Sequence, residues 1–376
     1  MAEGTSEKYT GRIRLGMVGG GQGAFIGAVH RLAARMDDQY EFVAGALSAD
    51  AAKAKASGAE LGLAADRVYS DFNAMAKAEA AREDGIEAVS IVTPNHVHVA
   101  AAKAFIAAGI HVICDKPLAL NLKEAKSLEG LLAKRKEVIF ALTHNYSGYP
   151  MIRQAKAMVA AGELGDIRLV QGEYPQDWLT TALEKTGQKQ AAWRTDPKRS
   201  GAGGCVGDIG THTYQLMCDV SGLTGAELAA DLTSFVKGRV LDDNAHVMLR
   251  FNKGAKGMIW ASQVAPGNEN GLKLRVYGTK GGLEWTQADP NYLWYTPYGE
   301  SKRLITRGGA GSNAASARVT RVPPGHPEGY LEGFANITRK WRAPSRRSGR
   351  ARKLTKMCHS PASPMVSPAW PSSRLA

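Results

Sequence analysis

A glycine-rich turn between an apolar strand and a helix constrains this chain more than any other feature. Arg12–Gly19 reads RIRLGMVG, an apolar run typical of a buried parallel strand. A helical pattern opens in the following GGGQGAFIG, where Gly19, Gly21 and Ala24 fit the spacing G-x-G-x-x-[GA]. Glycines at such a turn let the backbone approach a pyrophosphate, which then lies at the positive end of the helix. The turn therefore predicts a dinucleotide site.

A second phasing of the same turn stays open. Gly23 and Gly27 allow it, as though the usual turn carried a small insertion. The cofactor-binding residues are therefore expected across the whole turn, namely Gly19, Gly21, Gly23, Ala24, Phe25 and Ile26.

The end of the next strand leaves the choice between NAD and NADP undecided. Tyr40–Leu47 is the predicted strand, and an NAD-binding unit usually ends it with an acid that holds the ribose hydroxyls. Here Ser48 occupies that place, and Asp50 and Lys53 follow. A serine leaves room for a 2′-phosphate and Lys53 can pair with it, although Lys53 also fits a solvated helix face. Ser48 and Lys53 are therefore candidate cofactor-binding residues.

Further strands and helices alternate up to about residue 145. The predicted strands are Ile86–Val92, Ile110–Cys114 and Val138–Thr143, with helices between them. This rhythm predicts an α/β Rossmann domain, a doubly wound parallel sheet over residues 1–145. Ligands of such sheets lie beyond the carboxyl ends of the strands. The polar residues that follow strand ends should therefore line one crevice, and they include Thr93, Pro94, Asn95, His98, Asp115, Lys116 and His144.

The chain then changes character. Alternating, β-branched or aromatic runs separated by Gly/Asn turns predict an α+β domain with an open, mostly antiparallel sheet over residues 146–338. A basic Pro/Ser/Arg-rich tail over residues 339–376 completes the chain. The predicted strands are Ile167–Tyr174, Leu232–Val236, His246–Phe251, Ala255–Val264, Leu272–Gly278 and Gly281–Trp285.

One helical segment of the second domain carries candidate catalytic groups. Gly203–Gly222 reads GGCVGDIGTHTYQLMCDVSG, and Asp208 and His212 are four residues apart in the first turn of the predicted helix. Residues at i and i+4 share a helix face, so the carboxylate can hold one ring nitrogen and leave the other to accept a proton. The alternative, a helix capped by Asp208 with His212 as a hydrogen-bonded structural residue, stays open on these residues alone.

The net charge of +13 does not predict a nucleic-acid partner. Residues 339–376 hold ten Lys/Arg and no Asp/Glu, so the remaining chain has 38 basic and 35 acidic residues, a net of +3. His96 and His98 lack a partner with metal-ligand spacing, which predicts no metal site.

Sequence features predict a protein of the cytoplasm. The first residues lack an apolar signal-peptide region, and no run approaches the roughly 18 apolar residues of a membrane span. The four cysteines show neither CxxC spacing nor the density of a disulfide scaffold, which is typical of a reducing compartment.

Several motifs in a fixed order carry a resemblance to a known family. The glycine turn is followed by TPNHVH, DKP at Asp115–Pro117, GELGDI, WRTDP and GDIGTH. From about Arg12 to Ile337 the sequence resembles the glucose–fructose oxidoreductase/inositol dehydrogenase (Gfo/Idh/MocA) family. DKP replaces the more usual EKP, a departure that keeps the lysine.

The resemblance implies an activity and residue roles. The family oxidises a secondary hydroxyl of a sugar, anhydrosugar or cyclitol with NAD or NADP. It implies that His212 is the acid/base, Asp208 its orienting partner and Lys116 the cation beside the reacting hydroxyl. Trp193 and Arg194 are expected to close over the cofactor or the substrate. Substrate hydroxyls are expected to meet Lys116, Tyr146, Tyr174, Asp177, Asp208, His212 or His326.

Two other functions stay open on the sequence, which also predicts self-association. An NAD-assisted glycoside hydrolase on the same fold and a non-catalytic nucleotide-binding sensor are the alternatives. Lys116, Asp208 and His212 are all present, which argues against a sensor. An exposed sheet face predicts self-association, as a homodimer or homotetramer.

The tail has two open interpretations. The pattern of His326–Ile337 is that of the start of an amphipathic helix. The Arg-, Ser- and Pro-rich residues after it have no periodicity. They read either as a disordered basic tail or as the product of a reading-frame slip near Ile337–Trp341.

Overall fold

The computed structural model of the chain describes residues 11–338. These residues form two compact units that are discontinuous in sequence. The first comprises residues 11–118, 127–143 and 334–338, and the second comprises residues 119–126 and 144–333. The predictions for the tail after residue 338, including the frame slip, lie outside the described residues.

The first unit contains a five-stranded sheet in the order β2-β1-β3-β4-β5, and every pair is parallel. This confirms the doubly wound parallel sheet, because the chain runs outward from β1 in both directions. The strands are β1 Ile13–Gly19, β2 Tyr40–Ala46, β3 Ala88–Val92, β4 His111–Cys114 and β5 Phe140–Leu142. The helices between them are α1 Phe25–Met36, α2 Ala51–Glu60, α3 Phe72–Ala81, α4 Asn95–Ala107 and α5 Leu122–Lys134.

The strand register brings the carboxyl ends of four strands to one edge. Gly19 at the end of β1 pairs with Val92 at the end of β3. Cys114, which ends β4, pairs with Ile91 of β3 and with Leu142 at the end of β5. The residues that follow these strands therefore start side by side.

The second unit contains an eight-stranded sheet in the order β13-β12-β11-β10-β6-β9-β8-β7. β6 and β9 pair in parallel, whereas the other neighbours are antiparallel, which confirms the mostly antiparallel sheet. The strands are β6 Ile167–Pro175, β7 Gly225–Thr233, β8 Asn244–Phe251, β9 Lys256–Ser262, β10 Lys273–Gly278, β11 Gly281–Thr286, β12 Tyr292–Pro297 and β13 Arg303–Thr306.

Six further α-helices follow β5 in the described part of the chain. They are α6 Pro150–Ala160, α7 Lys189–Arg194, α8 Pro197–Ser200, α9 Thr211–Ser221, α10 Ala314–Ala317 and α11 Tyr330–Thr338. The last confirms the helix expected near His326–Ile337.

One predicted strand was wrong in its bounds. Leu232–Val236 lies at and beyond the end of β7, which starts at Gly225 instead. Both carboxylate oxygens of the buried Asp243 accept hydrogen bonds from the amides of Phe235 and Val236. These amides therefore bond to a side chain rather than to a neighbouring strand.

The helix after Gly203 is not one continuous α-helix. Val206–Gly210 forms a π-helical turn, in which the Thr211 amide donates to the Val206 carbonyl, and α9 begins at Thr211. The i, i+4 rule for an α-helix therefore does not describe Asp208 and His212, which lie on either side of this junction. Single π turns inside helices are frequent at functional sites.

The second unit is built around helix α9 packed on the sheet. A Cβ atom added at Gly172 of β6 would lie 2.3 Å from the methyl group of Thr213, so a glycine is needed for this close approach. Leu216 and Met217 of α9 are fully buried in the same core as Val170. This packing holds α9 firmly against the middle of the sheet.

The contact between the glycine turn and α1 can be tested by adding one methyl group. A Cβ at Gly27 would lie 2.4 Å from the Gly20 Cα, so Gly27→Ala forces backbone atoms apart. We expect a loss of about 1–3 kcal/mol and a melting temperature lower by roughly 5 °C, measured by circular dichroism.

Gly130→Ala is the matched control for Gly27→Ala, because Gly130 lies in α5 with nothing within 4 Å of an added Cβ. It should keep or slightly raise the melting temperature. Equal melting temperatures for both variants would contradict the close contact.

Candidate active site

The glycine turn of the first unit has the form of a cradle. Gly19, Gly20 and Gly23 adopt positive φ values of 80°, 74° and 73°, which favour glycine. An added Cβ at Gly19 would lie 2.9 Å from the Thr93 side chain, and one at Gly21 would lie 2.8 Å from the Leu47 carbonyl. The turn thus passes close to its neighbours on one side, whereas nothing lies within 4 Å of a Cβ at Gly23.

Helix α1 begins without a side-chain cap and with no acid in its first turn. Its positive end is therefore suited to a phosphate group. The buried Thr93 hydroxyl beside the turn has no hydrogen-bond partner among residues 11–338. These observations fit a bound dinucleotide.

Side chains of α2 support the other side of the turn. The Gln22 amide donates to Ser57 Oγ at 3.1 Å, and Gln22 Nε2 donates to Glu60. The Ser48 hydroxyl accepts from the Asp50 amide at 3.2 Å, and the Asp50 carboxylate accepts from the Lys53 amide and caps α2. Ser48 and Lys53 therefore lie together at the start of α2.

His98 links the ends of β3 and β4. This buried side chain contacts the carbonyl oxygens of Pro117 at 2.7 Å and Thr93 at 2.9 Å, through its two ring nitrogens. Burial lowers the pKa of His98, while the carbonyl partners act in the opposite direction. The imidazole thus connects α4 to the loop that carries Lys116.

Asp115 is a partly buried carboxylate directly before Lys116. Its Oδ1 accepts a hydrogen bond from the Thr143 hydroxyl at 2.7 Å, and His30 Nε2 lies 3.8 Å away. Burial acts to raise the pKa of Asp115, but His30, with smaller contributions from Lys116 and Thr143, outweighs burial and lowers it. The carboxylate therefore stays ionised and connects β4, β5 and α1.

In the second unit, Asp242 holds the start of the π turn. Its carboxylate accepts from the amides of Gly204 at 2.7 Å and Val206 at 2.9 Å. A Cβ at Gly204 would lie 2.0 Å from the Asp242 carbonyl oxygen, so a side chain there would displace the turn. Cys205 is buried beside Asp242, and burial raises the pKa of its thiol, so it is not a reactive thiolate at neutral pH.

Asp208 is held by two further side chains. Its Oδ2 accepts from Arg194 Nε at 3.1 Å and from Gln263 Nε2 at 2.9 Å. The Arg194 guanidinium lies 4.2 Å from the centre of the Trp193 ring, a cation–π distance. A guanidinium and an amide thus fix the carboxylate.

Aromatic rings surround His212, which is buried. The Tyr146 ring packs edge-on at 4.9 Å and the His144 ring at 5.9 Å, while the Tyr174 ring lies 6.2 Å away. The hydroxyls of Tyr146 and Tyr174 are 2.5 Å apart, and Asn270 contacts both. The arrangement places an imidazole beside two phenol hydroxyls and a side-chain amide in a little-hydrated region.

Comparisons with known proteins agree with this geometry. Residues 13–144 match the oxidoreductase family with an NAD-binding Rossmann fold, and residues 152–284 match the GFO/IDH/MocA C-terminal domain. An oxidoreductase from Sinorhizobium meliloti of known structure is 62% identical, with 88% of this chain and 87% of that chain covered and a TM-score of 0.79. The chain belongs to the Gfo/Idh/MocA family.

Two further relatives indicate the chemistry of the family. An inositol dehydrogenase homolog from Azotobacter vinelandii, solved in complex with NAD+, is 37% identical, with 87% of this chain and 84% of that chain covered and a TM-score of 0.84. Levoglucosan dehydrogenase from Pseudarthrobacter phenanthrenivorans is 30% identical over 72% of this chain and 73% of its own length. The protein is an NAD(P)-dependent dehydrogenase.

Four of the predicted cofactor-binding residues of this dehydrogenase lie at the starts of α1 and α4. Phe25 is largely exposed at the start of α1, whereas Ile26 packs against Met17 and Leu47. Pro94 is the N-cap residue of α4, and Asn95 is buried in its first turn.

Three predicted residues have other local contacts. Asp177 accepts from the Gly267 amide at 3.2 Å, and Trp193 Nε1 donates to Gln190. His326 is exposed, and its carbonyl oxygen accepts from Arg307. These contacts do not assign a role to the three side chains.

Sequence reasoning missed Gln263, Asn270, Trp178 and Asp242. Gln263 follows the apolar strand β9, and a polar residue at a strand end is a signal that was available. Asn270 lies in a Gly/Asn turn that resembles any other turn of the sheet.

Within residues 11–338, no group of three or more His, Cys, Asp or Glu side chains is arranged to hold a metal ion. No helix in that part of the chain has the length and apolarity needed to cross a membrane.

The Asp115 carboxylate makes a pH-dependent contribution to stability. Its pKa in the folded dehydrogenase lies below the unfolded value of about 3.9. The contribution is present above that unfolded pKa and is lost as the pH falls through it toward the folded pKa. Asp115→Asn should therefore lower the melting temperature at pH 7, with a smaller difference from wild type near pH 3.

The exposed Asp289 provides the control as Asp289→Asn, which should change the melting temperature little at either pH. A loss for Asp115→Asn that does not depend on pH would contradict an ionised Asp115.

Proposed function

We propose that this dehydrogenase oxidises a secondary hydroxyl group of a sugar, anhydrosugar or cyclitol with NAD or NADP. The observation that carries the proposal is the buried His212 ring packed against Tyr146 and Tyr174, whose hydroxyls contact Asn270. The fixed carboxylate of Asp208 lies four residues before His212 in the chain. The names of the relatives support the substrate class, because one is a levoglucosan dehydrogenase and another an inositol dehydrogenase homolog.

The cradle of the first unit would hold the cofactor. The amides of the glycine turn and the start of α1 would bind the pyrophosphate, and Ser48 and Lys53 lie where the adenosine ribose is expected. Thr93, Asn95 and His98 would line the nicotinamide end. When bound, NAD(P) supplies the hydride-accepting chemistry.

The residues supply the proton chemistry and the charge. An alcohol is a very weak acid, so loss of hydride from its carbon needs a base at the hydroxyl proton. His212 would accept that proton, and Asp208 would stabilise the imidazolium formed. The ammonium group of Lys116 would stabilise the developing alkoxide, and Asp115 and His98 hold the loop that carries it.

Spectrophotometry of the reduced nicotinamide tests this function. A panel of cyclitols, anhydrosugars and aldoses is offered with NAD and with NADP, and at least one polyol should be oxidised. His212→Ala and Lys116→Ala should each lower kcat by at least roughly 10²-fold while cofactor binding is retained.

The exposed residue Lys126 serves as the control, and Lys126→Ala should keep wild-type kcat. Near-wild-type turnover by His212→Ala would remove the imidazole from the mechanism. Glycoside cleavage without net nicotinamide reduction would instead support the hydrolase alternative, which the named dehydrogenase relatives do not favour.

We further propose that the protein acts as a homodimer or homotetramer that buries the outer face of the eight-stranded sheet, and that it does so in the cytoplasm. β8 alternates buried and exposed residues, and its exposed set includes Met248, which is 65% exposed. Met258 on β9 pairs with Met248 on the same face and is also exposed. Charges on the same sheet pair internally, as in Arg250–Glu227 and Arg275–Glu173, which suits a second copy better than a charged partner.

Charged substitutions on this face should separate the copies. Met248→Asp combined with Met258→Asp places two carboxylates on the apolar face, and light scattering after size-exclusion chromatography should show a lower mass. Because both side chains are exposed, the fold should survive. Tyr298→Asp, at an 87% exposed turn residue, is the control and should keep the wild-type mass. A wild-type monomer would contradict the assembly.

A further inference from the structure

Three side chains beside His212 form a closed ring of hydrogen bonds. The hydroxyl oxygens of Tyr146 and Tyr174 are 2.5 Å apart. The Tyr174 hydroxyl lies 2.7 Å from Asn270 Oδ1, and Asn270 Nδ2 lies 3.4 Å from the Tyr146 hydroxyl. Both phenol side chains are almost completely buried. We call Tyr146, Tyr174 and Asn270 the hydroxyl ring.

A neighbouring tryptophan decides the direction of these hydrogen bonds. Trp178 Nε1 can only donate, and it lies 3.2 Å from Gln176 Oε1. Gln176 must therefore turn its Nε2 donor toward Asn270, 2.9 Å away, and the atom of Asn270 that meets it must be the acceptor Oδ1. The amide group of Asn270 is thus oriented from outside the hydroxyl ring.

The orientation of Asn270 then fixes both phenol protons. Because Oδ1 can only accept, Tyr174 donates its proton to Asn270. The Tyr174 oxygen accepts the proton of Tyr146, and the Tyr146 oxygen accepts from Asn270 Nδ2. All three hydrogen bonds run in the same direction, and such chains strengthen one another.

We propose that Asn270 is a positioning residue that keeps the protons of Tyr146 and Tyr174 inside the hydroxyl ring, so that Tyr146 can only accept a hydrogen bond from the substrate and the substrate proton passes to His212. The proposal rests on the proposed function, because it concerns the polyol of that same site. Burial also raises the pKa of both phenols, so they stay protonated at neutral pH.

The surroundings of His212 include other groups that titrate. Tyr146, Tyr174 and His144 lie against its ring. Asp208 lies four residues earlier, in the π turn, and Arg194 is bound to its carboxylate. Asn270 contacts the two tyrosines that pack on the imidazole. A change of charge at residue 270 should therefore change the balance between the neutral and protonated forms of His212, because the two side chains are close in a poorly hydrated region.

Asn270→Asp changes one donor into an acceptor with almost no change of shape. The Tyr146 oxygen loses its donor, and its proton turns to the new carboxylate. The added negative charge favours the imidazolium form of His212. The acid limb of the pH profile of kcat/KM should therefore move to higher pH by about one unit, and kcat at pH 7 should be roughly 10-fold lower.

Asn270→Ala opens the hydroxyl ring without adding charge. It should lower kcat by roughly 3- to 10-fold and leave the acid limb in place. The matched control is Asn268→Asp, two residues away in the same turn, where the amide donates to the Ala265 carbonyl at 3.2 Å. This control should keep both kcat and the acid limb.

A second measurement does not depend on turnover. In protein labelled with 13C at tyrosine Cζ, two hydroxyl protons protected from exchange should appear in the NMR spectrum. Tyr146→Phe and Tyr174→Phe assign them, and Asn270→Ala should abolish both. Thermal unfolding of each variant shows that it is folded. If Asn270→Asp does not fold, Tyr174→Phe replaces it and should expose the Tyr146 proton to exchange.

The outcomes separate the two proposals. Protected hydroxyl protons in a protein that oxidises no polyol would leave the hydroxyl ring intact and overturn the proposed function. Turnover with no protected hydroxyl proton would overturn the role of Asn270. An unmoved acid limb in Asn270→Asp, or an equal shift in Asn268→Asp, would do the same.

Discussion

Parallel pairing of β1, β3, β4 and β5, which brings their carboxyl ends to one edge, is the constraint on which the cofactor-binding half depends. The hydrogen bonds of β3 with β1 and β4 bring Gly19, Val92 and Cys114 to one edge of the sheet. Since each strand ends there, the following turn delivers its first polar residue to the same place. The glycines then matter because of proximity: the turn runs so close to β3 and α1 that a Cβ atom would collide with them.

Partly buried carboxylates hold loops in both units rather than react. In the first unit, Asp115 contacts Thr143 and faces His30, and the lysine proposed to assist the reaction follows it in the chain. In the second unit, Asp242 accepts two amides at the start of the π turn that leads to α9. A buried carboxylate is costly unless it is fully hydrogen-bonded, so each carboxylate stabilises only the one loop geometry that satisfies it.

The polar residues around His212 form a network whose direction begins at a tryptophan. Trp178 can only donate, and that single restriction passes through Gln176 and Asn270 to two tyrosines. An active site that must move one proton benefits when its other protons are already committed to fixed acceptors. The phenols beside His212 then keep their protons, and the imidazole remains as the group proposed to accept the proton of the substrate.

The sequence by itself determined the parallel sheet, because strand periodicity and glycine spacing are local patterns. It determined the family through an ordered series of short motifs, which also include Lys116 and His212. It also predicted a mostly antiparallel second sheet, although it missed β12 and β13 and placed β7 too late. Only the tertiary structure decided the π turn at Asp208 and the partners Gln263 and Asn270. These depend on side chains up to 124 residues apart in the chain, and no local pattern records which distant donor meets which acceptor.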